Sequence, residues 1–231
     1  MGIAGKLYGK VMDPILTWGE PYYERTMAPR WRPEPATITI WPKYREPSDI
    51  VLEAGACTGK TTLFLSDFSR KVYAFEPIEK NFARLKKMTK HYKNVQCFNP
   101  GLGDKSETVA RKGTVSYSAA FAMTGDTKMG KMVAIDDLQL DPAPNVFWLD
   151  LEGYELKALK GGRKALSNAR VVGVEVHPDP QTGTNQHEIE DSLKYLGFKT
   201  TAEKSGAIWT PSGEWKWVPD GYEEIWVVGT R

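Results

Sequence analysis

A glycine-containing loop between two short apolar segments constrains this chain more than any other feature. Val51–Thr62 reads VLEAGACTGKTT, and Val72–Pro77, VYAFEP, follows shortly after it. Val51–Glu53 is typical of the end of a strand, and apolar residues at helical spacing predict a helix over Thr61–Phe68. A strand, a glycine loop, a helix and a second strand that ends in an acid form half of a nucleotide-binding βαβ unit.

Three kinds of ligand compete for this loop. A phosphate-binding P-loop requires G-x-x-x-x-G-K-[ST], but only three residues separate Gly55 from Gly59. A dinucleotide site requires G-x-G-x-x-G, and Cys57 stands at its second glycine. S-adenosylmethionine has no phosphates and needs fewer glycines, and Glu76 is placed to bond both ribose hydroxyls. The loop therefore favours S-adenosylmethionine, with a glycine turn in another α/β protein as the remaining alternative.

Composition limits the class of protein only broadly. The 231 residues suit one α/β domain with a short appendage. The net charge is +2, from 31 basic and 29 acidic residues, so nucleic acid is not demanded as a partner. No apolar run approaches the roughly 20 residues of a membrane span, so we expect none. Cys57 and Cys97 lack metal-ligand spacing and fit buried reduced thiols, which favours a cytoplasmic location.

Residues 1–46 are predicted to form an N-terminal appendage of short helices and loop, ahead of a domain over residues 47–231. A short strand is predicted at Ala36–Trp41, where apolar and polar residues alternate. The appendage is either a packed cap on the sheet or a lid that shapes an acceptor pocket. As a lid it would offer stacking and polar contacts through Trp31, Arg32, Trp41 and Tyr44.

Predicted strands and helices then alternate along the chain. Strands are expected at Lys71–Phe75, Asn94–Phe98, Asn145–Leu151, Arg170–Val176 and Glu224–Val228, with shorter ones around Glu107–Ala110, Ser118–Met123 and Met132–Leu138. Helices are expected at Glu79–Tyr92, after Gly153 with a break at Gly161–Gly162, and at 187–198. This alternation predicts a doubly wound, mostly parallel sheet with helices on both faces.

Polar residues follow the predicted strands at their carboxyl ends, where open α/β sheets bind ligands. They are Glu53, Glu76, Asp150, Glu152, Glu175 and His177, with Asn99–Gly101 after the third strand. So many acids at one edge are costly unless a cation or hydrogen-bond donors meet them. A sulfonium, an ammonium group and a ribose would do so, although one or two of these acids could instead cap the following helix.

The combined motifs resemble the FkbM-type methyltransferases, a branch of the class I S-adenosylmethionine-dependent fold. The residues that carry the resemblance are EAGACTG (Glu53–Gly59), AFEP (Ala74–Pro77), GLGD (Gly101–Asp104), AIDDL (Ala134–Leu138), LDLEGYELKALKG (Leu149–Gly161) and VEVH (Val174–His177). The resemblance implies a seven-stranded sheet with an antiparallel last hairpin. It also implies methyl transfer to an oxygen, often a hydroxyl of a sugar or natural product.

The predicted cofactor is S-adenosylmethionine. The residues predicted to bind it are Glu53, Gly55, Ala56, Gly59, Thr61, Thr62, Glu76, Pro77, Gly101, Leu102, Asp150 and Glu152. Two positions depart from the family pattern. Trp148 stands where the family commonly has a lysine, which bears on the substrate class, and Glu53 replaces the commoner aspartate.

A hydroxyl acceptor must lose its proton to a base within hydrogen-bond reach. His177 is the first catalytic candidate and Asp150 the second, although His177 could be a surface or capping residue and Asp150 could touch the cofactor or orient the acceptor. Glu152 could serve in either role. Carboxylates here could also bind a metal, but their spacing does not require one and no metal is predicted.

The expected partner is a small-molecule or glycan acceptor. One alternative is an RNA methyltransferase that binds nucleic acid through the basic segment Ala83–Lys93, which otherwise forms a solvated helix face. The other is a non-catalytic protein that binds S-adenosylmethionine. The sequence leaves the acceptor molecule and the oligomeric state open.

Overall fold

The computed structural model describes residues 35–111, 128–177, 184–205, 207–209, 215–217 and 224–231. Its strands are β1 (Ile50–Ala54), β2 (Lys71–Phe75), β3 (Val95–Phe98), β4 (Gly101–Gly103), β5 (Glu107–Arg111), β6 (Lys128–Ala134), β7 (Val146–Leu149), β8 (Val171–Glu175), β9 (Lys199–Lys204), β10 (Ala207–Trp209), β11 (Trp215–Trp217) and β12 (Ile225–Thr230). Its helices are α1 (Pro35–Thr39), α2 (Trp41–Tyr44), α3 (Lys60–Asp67), α4 (Glu79–Thr89), α5 (Glu155–Gly161), α6 (Arg163–Leu166) and α7 (Gln186–Tyr195), with a 3₁₀ turn at Ile135–Asp137.

Seven strands form the main sheet in the order β3-β2-β1-β7-β8-β12-β9. The pairs from β3 to β8 are parallel, and β12 runs antiparallel to both of its neighbours. Strands β1, β7 and β8 are buried along their whole length, which explains why the sequence shows them as near-continuous apolar runs. The expected doubly wound, mostly parallel, seven-stranded sheet is confirmed.

Strand order reverses between β1 and β7, because the chain builds β1, β2 and β3 outward in one direction and β7 and β8 in the other. Ligands of open α/β sheets bind beyond the carboxyl ends of the strands at such a point. The glycine loop follows β1, and the segment that begins at Asp150 follows β7. The topology therefore brings these two predicted motifs side by side.

Helices pack on both faces of the sheet. On one face, α5 and α7 cover a core that includes Phe147, Val172 and Leu193. On the other face lie α1, α2 and α3, whose buried side chains pack with Trp148 and Trp226. Trp148 stacks on Trp226 with ring centroids 4.1 Å apart, and the ring of Trp41 meets Trp148 edge-on at 5.5 Å. Trp148, which departs from the family pattern, is therefore a core residue.

The prediction of a strand at Ala36–Trp41 is wrong. These residues form α1 and the start of α2, and all but the half-buried Thr39 are buried against the sheet. Alternating apolar and polar residues are typical of a half-buried strand. Here the polar positions are buried nearly as well as the apolar ones, so the alternation does not indicate which side faces solvent. Within the appendage, Ala36–Trp41 packs as a cap; Trp31 and Arg32 lie outside the described residues.

Smaller elements complete the described chain. Strands β4, β6 and β5 form a three-stranded sheet, and β10 and β11 form a hairpin. The predicted break at Gly161–Gly162 is present, because α5 ends at Gly161 and α6 begins at Arg163. The strand predicted at Ser118–Met123 lies outside the described residues.

Of the helices that the structure describes, none is both long enough and apolar enough to cross a membrane.

Candidate active site

The glycine loop after β1 is held by backbone hydrogen bonds to β2. The amides of Gly55 and Ala56 both donate to the carbonyl of Phe75, each at 3.0 Å. Gly55 and Gly59 adopt positive φ angles of 88° and 92°, a region that side chains other than glycine rarely enter. A Cβ on Gly55 would lie 1.9 Å from the carbonyl oxygen of Asp150. The loop thus needs glycine both for its turn and for its close approach to the segment after β7.

Glu76 directly follows β2, and its carboxylate accepts hydrogen bonds from main-chain amides. Its Oε2 accepts the amide of Cys57 at 2.8 Å, and its Oε1 accepts the amide of Ile78 at 2.7 Å. The side chain is 4% exposed, so it faces the loop rather than bulk solvent. A carboxylate oxygen can accept more than one hydrogen bond, so these two contacts do not by themselves exclude further donors at Glu76.

Glu53 lies next to this loop at the end of β1 and is 2% exposed. Neither of its carboxylate oxygens has a hydrogen-bond partner among the described residues. Burial is the main cause that raises the pKa of Glu53 to about 8; the nearby carboxylates of Asp150 and Glu76 act in the same direction, and the side chain of Thr62 acts against them. A buried, unbonded carboxylate of this kind marks a place where a ligand with positive charge or donors would be stabilised.

The segment after β7 forms a tight turn. The amide of Asp150 donates to the carbonyl of Ala54 at 3.0 Å, which extends the pairing of β7 with β1. Glu152 and Gly153 then take positive φ angles of 51° and 98°. The Oε1 atom of Glu155 accepts the amides of Leu151 and Gly153 at 3.3 and 3.1 Å. The turn therefore holds Asp150 and Glu152 at the carboxyl edge of the sheet.

His177, two residues after β8, lies among four carboxylates. Its Nδ1 is 3.0 Å from Glu155 Oε1 and 3.9 Å from Asp150 Oδ1. Its Nε2 is 3.5 Å from Glu175 Oε1 and 3.7 Å from Glu152 Oε2. We call these five residues the His177 cluster; among the described residues, no lysine or arginine forms an ion pair with any of its acids.

The charges in the His177 cluster shift one another's pKa values. Burial alone would lower the pKa of His177, but the hydrogen bond to Glu155 and the charges of Asp150 and Glu152 raise it to about 10. Burial raises the pKa of Asp150 to about 6 and that of Glu152 to about 7, against the opposing charge of His177. The imidazole is therefore the counter-charge of this acidic edge.

The same cluster has the composition of a cation site. Ligand atoms of Asp150, Glu175 and His177 all lie within 4.8 Å of one another, close enough to share one divalent ion. Nδ1 of His177, however, is already engaged by Glu155. Sequence spacing alone did not indicate this grouping, because Asp150 and Glu175 follow different strands.

The remaining predicted cofactor residues lie in the glycine loop, beside the turn after Glu76, or in the hydrophobic core. Ala56, Thr61 and Thr62 are buried in or just after the glycine loop. A Cβ on Gly101 would lie 3.3 Å from Cβ of Pro77, which places that glycine beside the turn after Glu76. Leu102, in contrast, is fully buried in the hydrophobic core.

Two acids of the site were not among the sequence candidates. Glu155 is fully buried and contacts His177, and Glu224 precedes β12 with its pKa raised to about 8 by burial and by the charge of Asp150. The D-x-E-G-x-E block contains Glu155 and could have indicated it. Glu224 reaches the cluster only because β12 inserts beside β8, which the local sequence does not show.

The basic segment Ala83–Lys93 places its charged residues in solvent. Arg84, Lys86 and Lys87 on α4 are exposed, and Leu85 between them is fully buried. This is the arrangement of a solvated amphipathic helix.

The sheet order is that of the class I methyltransferase fold. The chain belongs to the FkbM methyltransferase family: residues 53–200, more than half of its length, match the family described as the methyltransferase FkbM domain. The expectation from the sequence motifs is thus confirmed.

A curated relative and two crystal structures are similar to the chain. Hexuronic acid methyltransferase AglP of Haloferax volcanii is 30% identical over 164 residues, which cover 66% of this chain and 67% of AglP. Methyltransferase FkbM from Methylobacillus flagellatus KT matches with a TM-score of 0.58 at 17% identity, over 99% of this chain and 55% of that one. The chain thus spans little more than half of that protein. Magnesium protoporphyrin IX methyltransferase (ChlM) from Synechocystis PCC 6803, with bound SAM, matches with a TM-score of 0.50 at 11% identity, over 100% and 85% of the two chains.

Proposed function

We propose that this chain is an S-adenosylmethionine-dependent O-methyltransferase that acts on a hydroxyl of a sugar, glycoconjugate or small natural product. The observation that carries the proposal is the His177 cluster, which lies beside the glycine loop at the switch point of a methyltransferase sheet. The relative named as a hexuronic acid methyltransferase favours a sugar as the acceptor.

The residues of the β1–β2 side fit S-adenosylmethionine. Glu53 has two buried oxygens without a hydrogen-bond partner among the described residues, where a cationic ligand would be stabilised, and Glu76, held by two main-chain amides beside the loop, is the acid we assign to the ribose hydroxyls. The absence of a Cβ at Gly55 and Gly59 lets the loop pack closely against Asp150 and Leu85, which fixes its course beside the carboxyl edge of the sheet. Thr61 and Thr62 lie in the first turn of α3, directly after the loop. When bound, S-adenosylmethionine supplies a methyl group on a positively charged sulfur, and transfer to the acceptor oxygen leaves the electron pair on a neutral thioether.

The acceptor hydroxyl must give its proton to the chain, and Asp150 is the group we assign to accept it. Its Oδ1 is buried without a hydrogen-bond partner among the described residues, while the side chain as a whole is 19% exposed. Both ring nitrogens of His177, by contrast, face carboxylates. This geometry supports Asp150 over His177 as the base, the reverse of the order that the sequence suggested, and supports a role for His177 as a charge beside Asp150 and Glu152.

The direct test is methyl transfer from labelled S-adenosylmethionine to a panel of acceptors. The panel contains hexuronic acid glycosides, the matching neutral hexose glycosides and unmodified RNA. We expect label in a glycoside and none in RNA; label in RNA alone would favour the nucleic-acid alternative. Failure to label any member or any fraction of a cell extract would favour a non-catalytic binding protein.

The chemistry of the labelled product tests the role of Asp150. A methyl ether formed on a hydroxyl survives mild alkali, whereas a methyl ester formed on a uronic acid carboxylate is hydrolysed. We expect an alkali-stable product and a loss of turnover in Asp150→Asn of about 10²- to 10⁴-fold, the usual contribution of a general base. An alkali-labile product would contradict the base role, because a carboxylate acceptor has no proton to lose. Assays with and without a chelator show whether a divalent ion also takes part.

A further inference from the structure

Glu155 is the most deeply buried acid of the His177 cluster and its main anchor. It is the first residue of α5 and is 0% exposed, yet no lysine or arginine among the described residues pairs with it. Its Oε1 accepts three groups: the amides of Leu151 and Gly153, and Nδ1 of His177 at 3.0 Å. A carboxylate buried this completely is costly unless donors converge on it.

The contact with Glu155 determines how the His177 ring is turned. With Nδ1 bonded to Glu155, the opposite nitrogen, Nε2, points between Glu175 at 3.5 Å and Glu152 at 3.7 Å. The histidine side chain is 27% exposed, so packing alone does not enclose it. A hydrogen bond from the far ring nitrogen to a carboxylate is a general means of fixing both the orientation and the protonated nitrogen of a working histidine.

Glu155 also connects the turn after β7 with the end of β8. Through Leu151 and Gly153 it holds the turn after β7, in which Glu152 and Gly153 have positive φ angles. Through His177 it reaches the end of β8. One side chain thereby sets the relative position of residues that come from two neighbouring strands.

We propose that Glu155 is a positioning residue, which fixes the ring of His177 so that Nε2 faces the carboxylates of Glu152 and Glu175. The consequence for catalysis rests on the proposed function, since it assumes that the His177 cluster handles the acceptor hydroxyl. The orientation itself does not depend on that assumption.

The chain contains three histidines, so ¹⁵N-labelled imidazole resonances report on His177 directly. His91 and His187 are exposed and serve as internal references. In the wild-type protein we expect a protonated Nδ1 on His177. In Glu155→Gln, which keeps the size but removes the charge, we expect the His177 resonances to move while the two references stay in place. Glu188→Gln, which removes the charge of an exposed first-turn acid of α7, is the matched control and should leave the His177 resonances in place.

Turnover and cofactor affinity separate a positioning role from a merely structural one. We expect Glu155→Gln to lower turnover about 10- to 100-fold, as loss of an orienting partner usually does, with S-adenosylmethionine affinity within twofold of wild type. Equal turnover in wild type and Glu155→Gln would overturn the proposal. So would a wild-type His177 that lacks a proton on Nδ1, a measurement that decides the matter even if the variant fails to fold. If the wild-type protein methylates no acceptor, the proposed function fails while the resonance measurement still decides the orientation.

Discussion

The acidic side chains on the two sides of the candidate site are held in place by different kinds of contact. On the proposed cofactor side, around the loop between β1 and β2, Glu76 accepts the main-chain amides of Cys57 and Ile78. On the proposed acceptor side, around the His177 cluster, Asp150 and Glu152 lie within 4 Å of the His177 ring, and that ring is in turn held by the side chain of Glu155. One side is organised by backbone geometry and the other by a network of side chains.

This difference has a consequence for specificity. Backbone donors are present whatever the side chains are, so the cofactor side is preorganised by the turn itself. Side-chain networks change with single substitutions, and each member depends on the others. The proposed cofactor side therefore depends less on individual side chains than the proposed acceptor side does.

The largest effect is expected where the two sides touch. A Cβ on Gly55 would approach the carbonyl oxygen of Asp150 to 1.9 Å, in a backbone conformation that alanine resists. We expect Gly55→Ala to lose about 1–2 kcal/mol from the strained φ angle and about 1–3 kcal/mol more from the overlap, and to abolish cofactor binding. Thermal denaturation and calorimetric titration with S-adenosylmethionine measure the two losses.

Gly197 provides the control for Gly55→Ala. Its φ angle is 86°, nearly the same, but a Cβ there would meet nothing within 4 Å. Gly197→Ala should therefore show only the conformational cost and leave cofactor binding intact. If the two variants melt at the same temperature and both bind the cofactor, the two sides of the site are not in the close contact described here.

The cofactor side could be predicted from the sequence because its parts are nearly contiguous. A strand, Gly55, a helix and Glu76 follow one another within a single βαβ unit, and local periodicity is enough to place them. The acceptor side depends on contacts across the sheet. His177 contacts Glu155, which lies 22 positions earlier in the sequence. No local sequence pattern predicts which of the acids at the strand ends will contact this histidine.

Burial explains the two places where sequence interpretation failed or was incomplete. Ala36–Trp41 alternates like a strand, but it forms α1 and the start of α2 because the sheet face buries nearly all of it. Trp148 suggested a change in substrate class, whereas its indole lies between Trp41 and Trp226 in the core. Both depend on packing between distant segments, which outweighs local propensity.

A smaller effect distinguishes the functions of the two sides. We expect Glu76→Ala to weaken S-adenosylmethionine binding at least tenfold, because a hydrogen bond to a charged group contributes about 1.5–3 kcal/mol. We expect His177→Ala to leave that affinity near wild type but to lower turnover, since it removes the counter-charge beside Asp150 and Glu152. Titration calorimetry and steady-state kinetics on both variants give the comparison. Unchanged affinity in Glu76→Ala would contradict its ribose role, and intact turnover in His177→Ala would remove His177 from catalysis.

The smallest effect concerns stability and pH in the absence of ligands. The shifted groups at this edge are Glu53, Asp150, Glu152, Glu224 and His177, and each has its pKa raised in the folded chain. The folded state therefore retains protons that the unfolded state has released, so the free energy of unfolding falls as pH rises from about 4.5 to about 10. We expect the melting temperature to drop between pH 5.5 and pH 9, by about 2–4 °C for each kcal/mol lost.

Glu53→Gln tests how much of this pH dependence comes from the cofactor side. Glu53 has a pKa of about 8 in the folded chain against an ordinary value of 4.5, so it destabilises the ligand-free protein increasingly across that interval. A neutral glutamine of nearly the same shape removes that contribution. We expect the variant to melt at a higher temperature than wild type at pH 9, to match it near pH 4.5, and to bind S-adenosylmethionine more weakly. The exposed Glu188→Gln control should leave the slope unchanged. A melting temperature that rises with pH in the wild-type protein would mean that the acids at this edge are not buried as the structure places them.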